Sequence, residues 1–185
     1  MPRLEPITRR EQLAAPSDQA AFDAIIASRG RINQPQSMNM YVPELAQLAT
    51  SMNDLFRKSE LGTHDFEVAV LTAAREMDCA FVWGAHVNSG RKANVRPEVI
   101  DVIGRKAPLD GLTEAEAVII QYGREVMGGH KVSQATFDRA LAQLGPRKLI
   151  LMSNVMGYYM MLSLTLIGTE MEIVPGMAPL PAVPS

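Results

Sequence analysis

The chain has 185 residues, of which 47% are hydrophobic and 21% charged; that is enough to bury one real core, and wholesale disorder is excluded. A formal charge of −2 argues against nucleic acid or an anionic lipid surface as the main partner, since neither is bound without a dense run of Lys and Arg. The single cysteine, Cys79, excludes both an internal disulfide framework and a metal site made of cysteines alone.

The start, MPRLEPITRREQL, has no apolar stretch of the kind a secretion signal carries. Together with the unpaired thiol this points to a cytoplasmic protein. Residues 1–16 hold Pro2, Pro6 and Pro16 and read as an extended arm. Ser17 or Asp18 can cap a first helix over 18–28, which Gly30 ends. RINQPQSMNMYV, rich in amides and turn formers, reads as a loop. Pro43 then opens a helix over 43–59, where its missing N–H costs nothing. Gly62 breaks that helix and Thr63 caps the next, over 65–77, with Phe66, Val70, Ala73 and Met77 along one face. Asp78 reads as a cap for 79–93, stopped by Asn94, and Pro97 begins 96–106.

Thr113 and Glu116 form a capping box for a helix ending at Gly128-Gly129. Ser133 caps 134–145, and Pro146 opens a long apolar helix to 167. Ser153, Asn154, Tyr158, Tyr159 and Thr165 interrupt that apolar run, so it reads as a core or subunit-interface helix and not as a membrane span. The tail 171–185, PGMAPLPAVPS at its end, is proline-rich and is expected to be disordered or draped over a neighbour. These elements predict an all-α fold: an arm (1–16), a compact single-domain bundle of about eight helices (17–170) and a tail. Twelve methionines and the very apolar last helix suggest a homo-oligomer.

Within DCAFVWGAHVNSG, Cys79, Val82, Trp83 and His86 are spaced i, i+3, i+4 and i+7, which places them on one helix face. Cys79 in the first turn would have its thiolate favoured by the helix dipole, partly opposed by Asp78. His86 can act as acid or base near neutral pH. The plainer reading stands beside this: a lone Cys or Trp at helical spacing is commonly core packing, and a single His is commonly a satisfied structural group.

EVAVLTAAREMDCAFVWGAH resembles the signature segment of the carboxymuconolactone decarboxylase and alkylhydroperoxidase-D superfamily. There a Glu is followed by a Cys twelve residues on, a Cys or Glu three further, and a His four beyond. Glu67, Cys79, Val82 and His86 occupy those positions, and Trp83 matches a Trp of decarboxylase-type members. The resemblance extends loosely over residues 30–170, through GHKVSQATFDRALAQLG and GYYMMLSLTL. It implies an alkylhydroperoxidase-D-like bundle, a trimer or hexamer, and a cofactor-free, metal-free active site for a small molecule.

Val82 departs from both branches. It removes the second sulfur of a Cys-x-x-Cys peroxidase relay, and it removes the acid that decarboxylases place there. On this reading His86 is the acid/base, Glu67 its partner, and Phe81 and Trp83 an apolar wall beside Val82. Arg75, Arg91 and Arg31 are candidates to hold a substrate carboxylate, and His64 could enter the pocket. The leading expectation is a carboxy-lyase for a small carboxylated lactone or keto acid. A single-cysteine peroxidase acting through Cys79 and a non-catalytic oligomeric binder are the alternatives.

Overall fold

A computed structural model describes residues 2–184; Met1 and Ser185, the outermost residues of the expected arm and tail, lie outside the described residues. Eight helices follow in order: α1 (Pro16–Arg29), α2 (Gln34–Asn39), α3 (Pro43–Arg57), α4 (Thr63–Glu76), α5 (Ala80–Lys92), α6 (Pro97–Arg105), α7 (Glu114–Gly123) and α8 (Gln134–Gly168). No strand occurs among the described residues. The fold is all-α, as the periodicity predicts.

α4 is the axis. Every residue from Phe66 to Arg75 is buried, so this helix needs neighbours on all sides. α5, α6, α7 and α8 supply them. Ala69, Ala73 and Ala74, each fully buried, let those neighbours come close. Glu67, Thr72 and Arg75 are the polar members of this run, and Glu67 is a carboxylate placed where apolar side chains belong.

Several caps fall where the sequence puts them. Gly30 ends α1 in a left-handed conformation, Thr113 and Glu116 form their reciprocal box, and Ser133 accepts a hydrogen bond from the Thr136 N–H. Others move. α1 starts at Pro16, whose fixed φ suits a first helical position, ahead of Ser17 and Asp18. Gly62 takes the N-cap of α4, leaving Thr63 as its first residue. Cys79, not Asp78, sits at the N-cap of α5; Asp78 adopts φ +49° and pairs with Arg75. The helix expected through Met127 passes at Arg124 into a π-turn that ends at Gly128.

The largest difference lies in RINQPQSMNMYV. Asn33 and Gln36 cap each other reciprocally and Pro35 enters the first turn, which suffices to wind the short helix α2 in place of the expected loop. At the other end, the two helices expected on either side of Pro146 run on as α8, broken where Gly145 adopts φ 71° and ψ 167°. α8 is long and apolar enough to cross a membrane by length and composition. Core helices meet the same test, and its inner face packs on α4 and α7.

The arm contributes Ile7 and Leu13 to a small second core with Phe22, Ile25, Met40 and Ala46. The tail is packed against its own chain. It crosses α5 and α6 of its own bundle, where the Arg75 guanidinium donates to Pro181 O (2.7 Å), the Trp83 indole to Pro179 O (3.1 Å) and the Asn88 amide to Gly176 O (3.4 Å). Gly104 makes room for the crossing: a Cβ there would stand 2.7 Å from the Pro181 ring and 2.8 Å from Trp83.

Candidate active site

Glu67 lies in the second turn of α4, side chain 3% exposed. A carboxylate that deep is costly unless it is paired. His86, in the second turn of α5, supplies the partner: Nδ1 lies 2.7 Å from Glu67 Oε2. Arg57, the last residue of α3, brings a guanidinium nitrogen to 3.5 Å from Glu67 Oε1. The carboxylate thus points into the bundle and is met by side chains.

A carboxylate accepting at Nδ1 places the imidazole proton on that nitrogen. Nε2 is left without a protein partner among the described residues. His86 borders two cavities. The inner one, about 230 Å³, lies between α2, α3 and α8 and has Asn53, Arg57, Tyr158 and Tyr159 in its wall. The outer one, about 820 Å³, is bounded by Arg31, Phe81 and the tail at Val174–Met177. Arg57, Asn33 and Pro35 border both, so His86 and Arg57 stand where the two spaces meet.

Two tyrosines of α8 frame the histidine. The Tyr159 ring meets the His86 imidazole edge to face, centroids 4.9 Å apart, and Tyr158 meets Tyr159 in the same way at 5.2 Å. Burial pushes the Tyr158 phenol up to about 12 and raises Tyr159 well above the ordinary value, so both stay protonated at neutral pH. Arg57 also lies over the Phe66 ring, 4.9 Å from its centroid, a cation–π contact that helps hold its orientation.

The other expected site residues divide. Phe81 borders the outer cavity beside His86, and Arg31 does so from the α1–α2 connection. Cys79 is 1% exposed, Val82 3% and Trp83 2%; all three belong to the hydrophobic core and border neither His86 cavity. Arg75 is buried, with its two terminal nitrogens spent on Gly104 O, Pro181 O and Asp78. His64 turns toward Asp65 (3.0 Å) and Glu116 (3.5 Å), away from both spaces. Arg91 borders a shallow groove between α5, α6 and the tail. Among the described residues no three His, Cys, Asp or Glu side chains gather to hold a metal ion.

Sequence reasoning passed over Arg57, Asn53 and Tyr159. Asn53, Phe56 and Arg57 at i, i+3 and i+4 on α3, and a tyrosine pair in the apolar second half of α8, were the available signals.

No protein-family model matches the sequence, and no curated protein matches it. Solved structures do share its shape. A protein of unknown function from Agrobacterium tumefaciens, described as a candidate antioxidant defence protein AhpD, superposes with a TM-score of 0.66 at 16% identity, over 74% of this chain and 94% of that one. An uncharacterized peroxidase-related protein from Silicibacter sp. TM1040 gives 0.68 at 17%, over 95% and 93%. The debrominase Bmp8, as a cysteine-to-alanine variant in complex with 2,3,4-tribromopyrrole, gives 0.71 at 12%, over 95% of each chain. The architecture is therefore alkylhydroperoxidase-D-like.

Proposed function

We propose that this chain is a cofactor-independent carboxy-lyase of carboxymuconolactone decarboxylase type, acting on a small carboxylated lactone or related keto acid with His86 as the acid/base. The observation that carries the reading is the buried 2.7 Å hydrogen bond between Glu67 and His86 at the edge of two cavities. A non-catalytic binder has no need of an ionisable pair there, and burying one costs stability.

The chemistry follows from the groups present. Arg57 borders both cavities and Arg31 the outer one, and both suit a substrate carboxylate. As the C–C bond to that carboxylate breaks, CO₂ leaves and the electron pair moves into the conjugated carbonyl as a dienolate. The His86 imidazolium, stabilised by Glu67, then delivers its proton to carbon and is reprotonated from water. A proton is consumed for each CO₂ released, and no electron acceptor is required.

The single-cysteine peroxidase reading needs an accessible thiolate, and Cys79 is 1% exposed in the core. The same proposal includes a homo-oligomer. Leu45, Leu48, Met52 and Leu55 form one exposed apolar stripe along α3, and Ile150, Met161 and Leu164 form another on α8; light scattering on the purified chain tests it. The catalytic claim is tested by following CO₂ release from carboxymuconolactone and from a panel of β-keto acids. His86→Ala should slow release at least 100-fold. No release from any of them by the unaltered protein, or an unimpaired His86→Ala, would refute the lyase.

A further inference from the structure

The adjacent tyrosines of α8 differ in what their hydroxyls can do. Tyr158 donates to Ala49 O at 3.0 Å, so its proton is spent on the backbone. Tyr159 is the opposite case, and the reason lies in Asn53. The Asn53 carbonyl oxygen takes Nε of Arg57 at 3.1 Å and faces both terminal nitrogens of Arg29 at 3.5 Å. A guanidinium can only donate, so the oxygen of the amide must point that way and its NH₂ must point the other. The NH₂ reaches Tyr159 Oη at 3.2 Å. It too can only donate, so Tyr159 Oη accepts, and the tyrosine's own hydrogen is left without a protein acceptor among the described residues.

That hydrogen has a place to go. Tyr159 borders the inner cavity, next to His86 and Arg57. On the same wall Asn39, 5% exposed, carries a side-chain amide with no hydrogen-bond partner among the described residues. Two polar groups with unused hydrogen-bonding capacity border one small cavity, and a ligand carrying oxygen atoms would match them.

We propose that Tyr159 is a further catalytic residue, donating its hydroxyl hydrogen to the carbonyl oxygen of a substrate in the inner cavity and to the enolate oxygen that this becomes, with Asn53 as the residue that fixes its direction. This rests on the carboxy-lyase reading for the role of the enolate, and it narrows the substrate class to small unsaturated lactones or enolisable keto acids. Such a substrate puts its reacting carbon toward His86 and the conjugated oxygen toward Tyr159, whose rings are in contact. A preset donor of this kind acts on charge that develops in the transition state.

Tetronate, a five-membered lactone that is an enolate anion at neutral pH, is the probe, and calorimetry is the readout. Tyr159→Phe keeps the ring and its packing on His86 and removes only the donor. It should bind tetronate about tenfold or more weakly than the unaltered protein, the range expected for a hydrogen bond to a charged group. It should also lower kcat on a competent substrate with little change in KM. In case the variant misfolds, the unaltered protein carrying ζ-¹³C tyrosine gives a second reading: one of its four tyrosine signals should move on adding tetronate. Tetronate failing to bind, no tyrosine signal moving, or Tyr159→Phe binding within about twofold of the unaltered protein would overturn the assignment. Failure of the lyase reading is separate, since it shows as absent CO₂ release with tetronate binding and its Tyr159 dependence intact.

Discussion

The residues at and after the start of α5 make opposite use of one helical spacing. Cys79 and Trp83 are spent on structure: the thiol is packed into the core around α4, and the indole lies between Gly104 and the tail. His86, nearly one turn beyond Trp83, is held by Glu67 and opens onto two cavities. Spacing of i, i+4 and i+7 fixes which side chains are near one another along a helix. It does not fix what packs against each. The neighbours do that: the tail closes over Trp83, while α2, α3 and α8 leave space beside His86.

This contrast can be broken by substitution. His86→Ala should abolish most proton transfer, by a factor of about 10²–10⁴, and should also lower Tm, because the buried Glu67 carboxylate loses its hydrogen-bond partner and keeps only Arg57. Activity retained in this variant would reverse the roles given to His86 and Trp83. Trp83→Ala should cost stability and spare the chemistry. Deleting a buried indole costs about 3–5 kcal/mol, read by denaturant unfolding, and a variant that survives should retain His86-dependent chemistry.

Glu67→Gln comes next. The amide oxygen can still accept from Nδ1, so the ring stays oriented, but the imidazolium loses its counter-charge. A loss of roughly 10- to 100-fold in kcat is expected, within the range for acid–base assistance. Smallest of all is Cys79→Ala, which removes one buried sulfur. It should cost on the order of 1 kcal/mol and leave catalysis unchanged, and in the unaltered protein a thiol reagent should react with Cys79 only as the chain unfolds. Fast labelling of the native protein would return Cys79 to the functional side.

Much of this was legible in the residues and some was not. The helical pattern, the Thr113–Glu116 box and the Glu67–His86 pairing follow from local chemistry or a short signature, and both are written in consecutive sequence. α2 was missed because its six residues carry no apolar period; the reciprocal bonds of Asn33 and Gln36 wind it instead. Arg75 drew attention as a carboxylate ligand because its charge is visible in the sequence. Its partners, Gly104 O and Pro181 O, are brought together by tertiary folding, and no local pattern reports them. Arg57 and Asn53 escaped notice for the mirror-image reason: on a helix rich in exposed leucines they resemble solvated surface, and only the approach of α4 and α8 gives them a task.

The tail's hold on Trp83 has an optical consequence. The chain contains one tryptophan, and its indole N–H is bonded to Pro179 of a segment whose neighbouring residues, Val174 to Met177, wall the outer cavity. The emission of this single fluorophore therefore reports on whether that wall is in place, without any label being added. A red shift on shortening the chain before Pro179, or on adding a ligand that displaces the segment, would let entry to the cavity be timed by stopped flow in the otherwise unaltered protein.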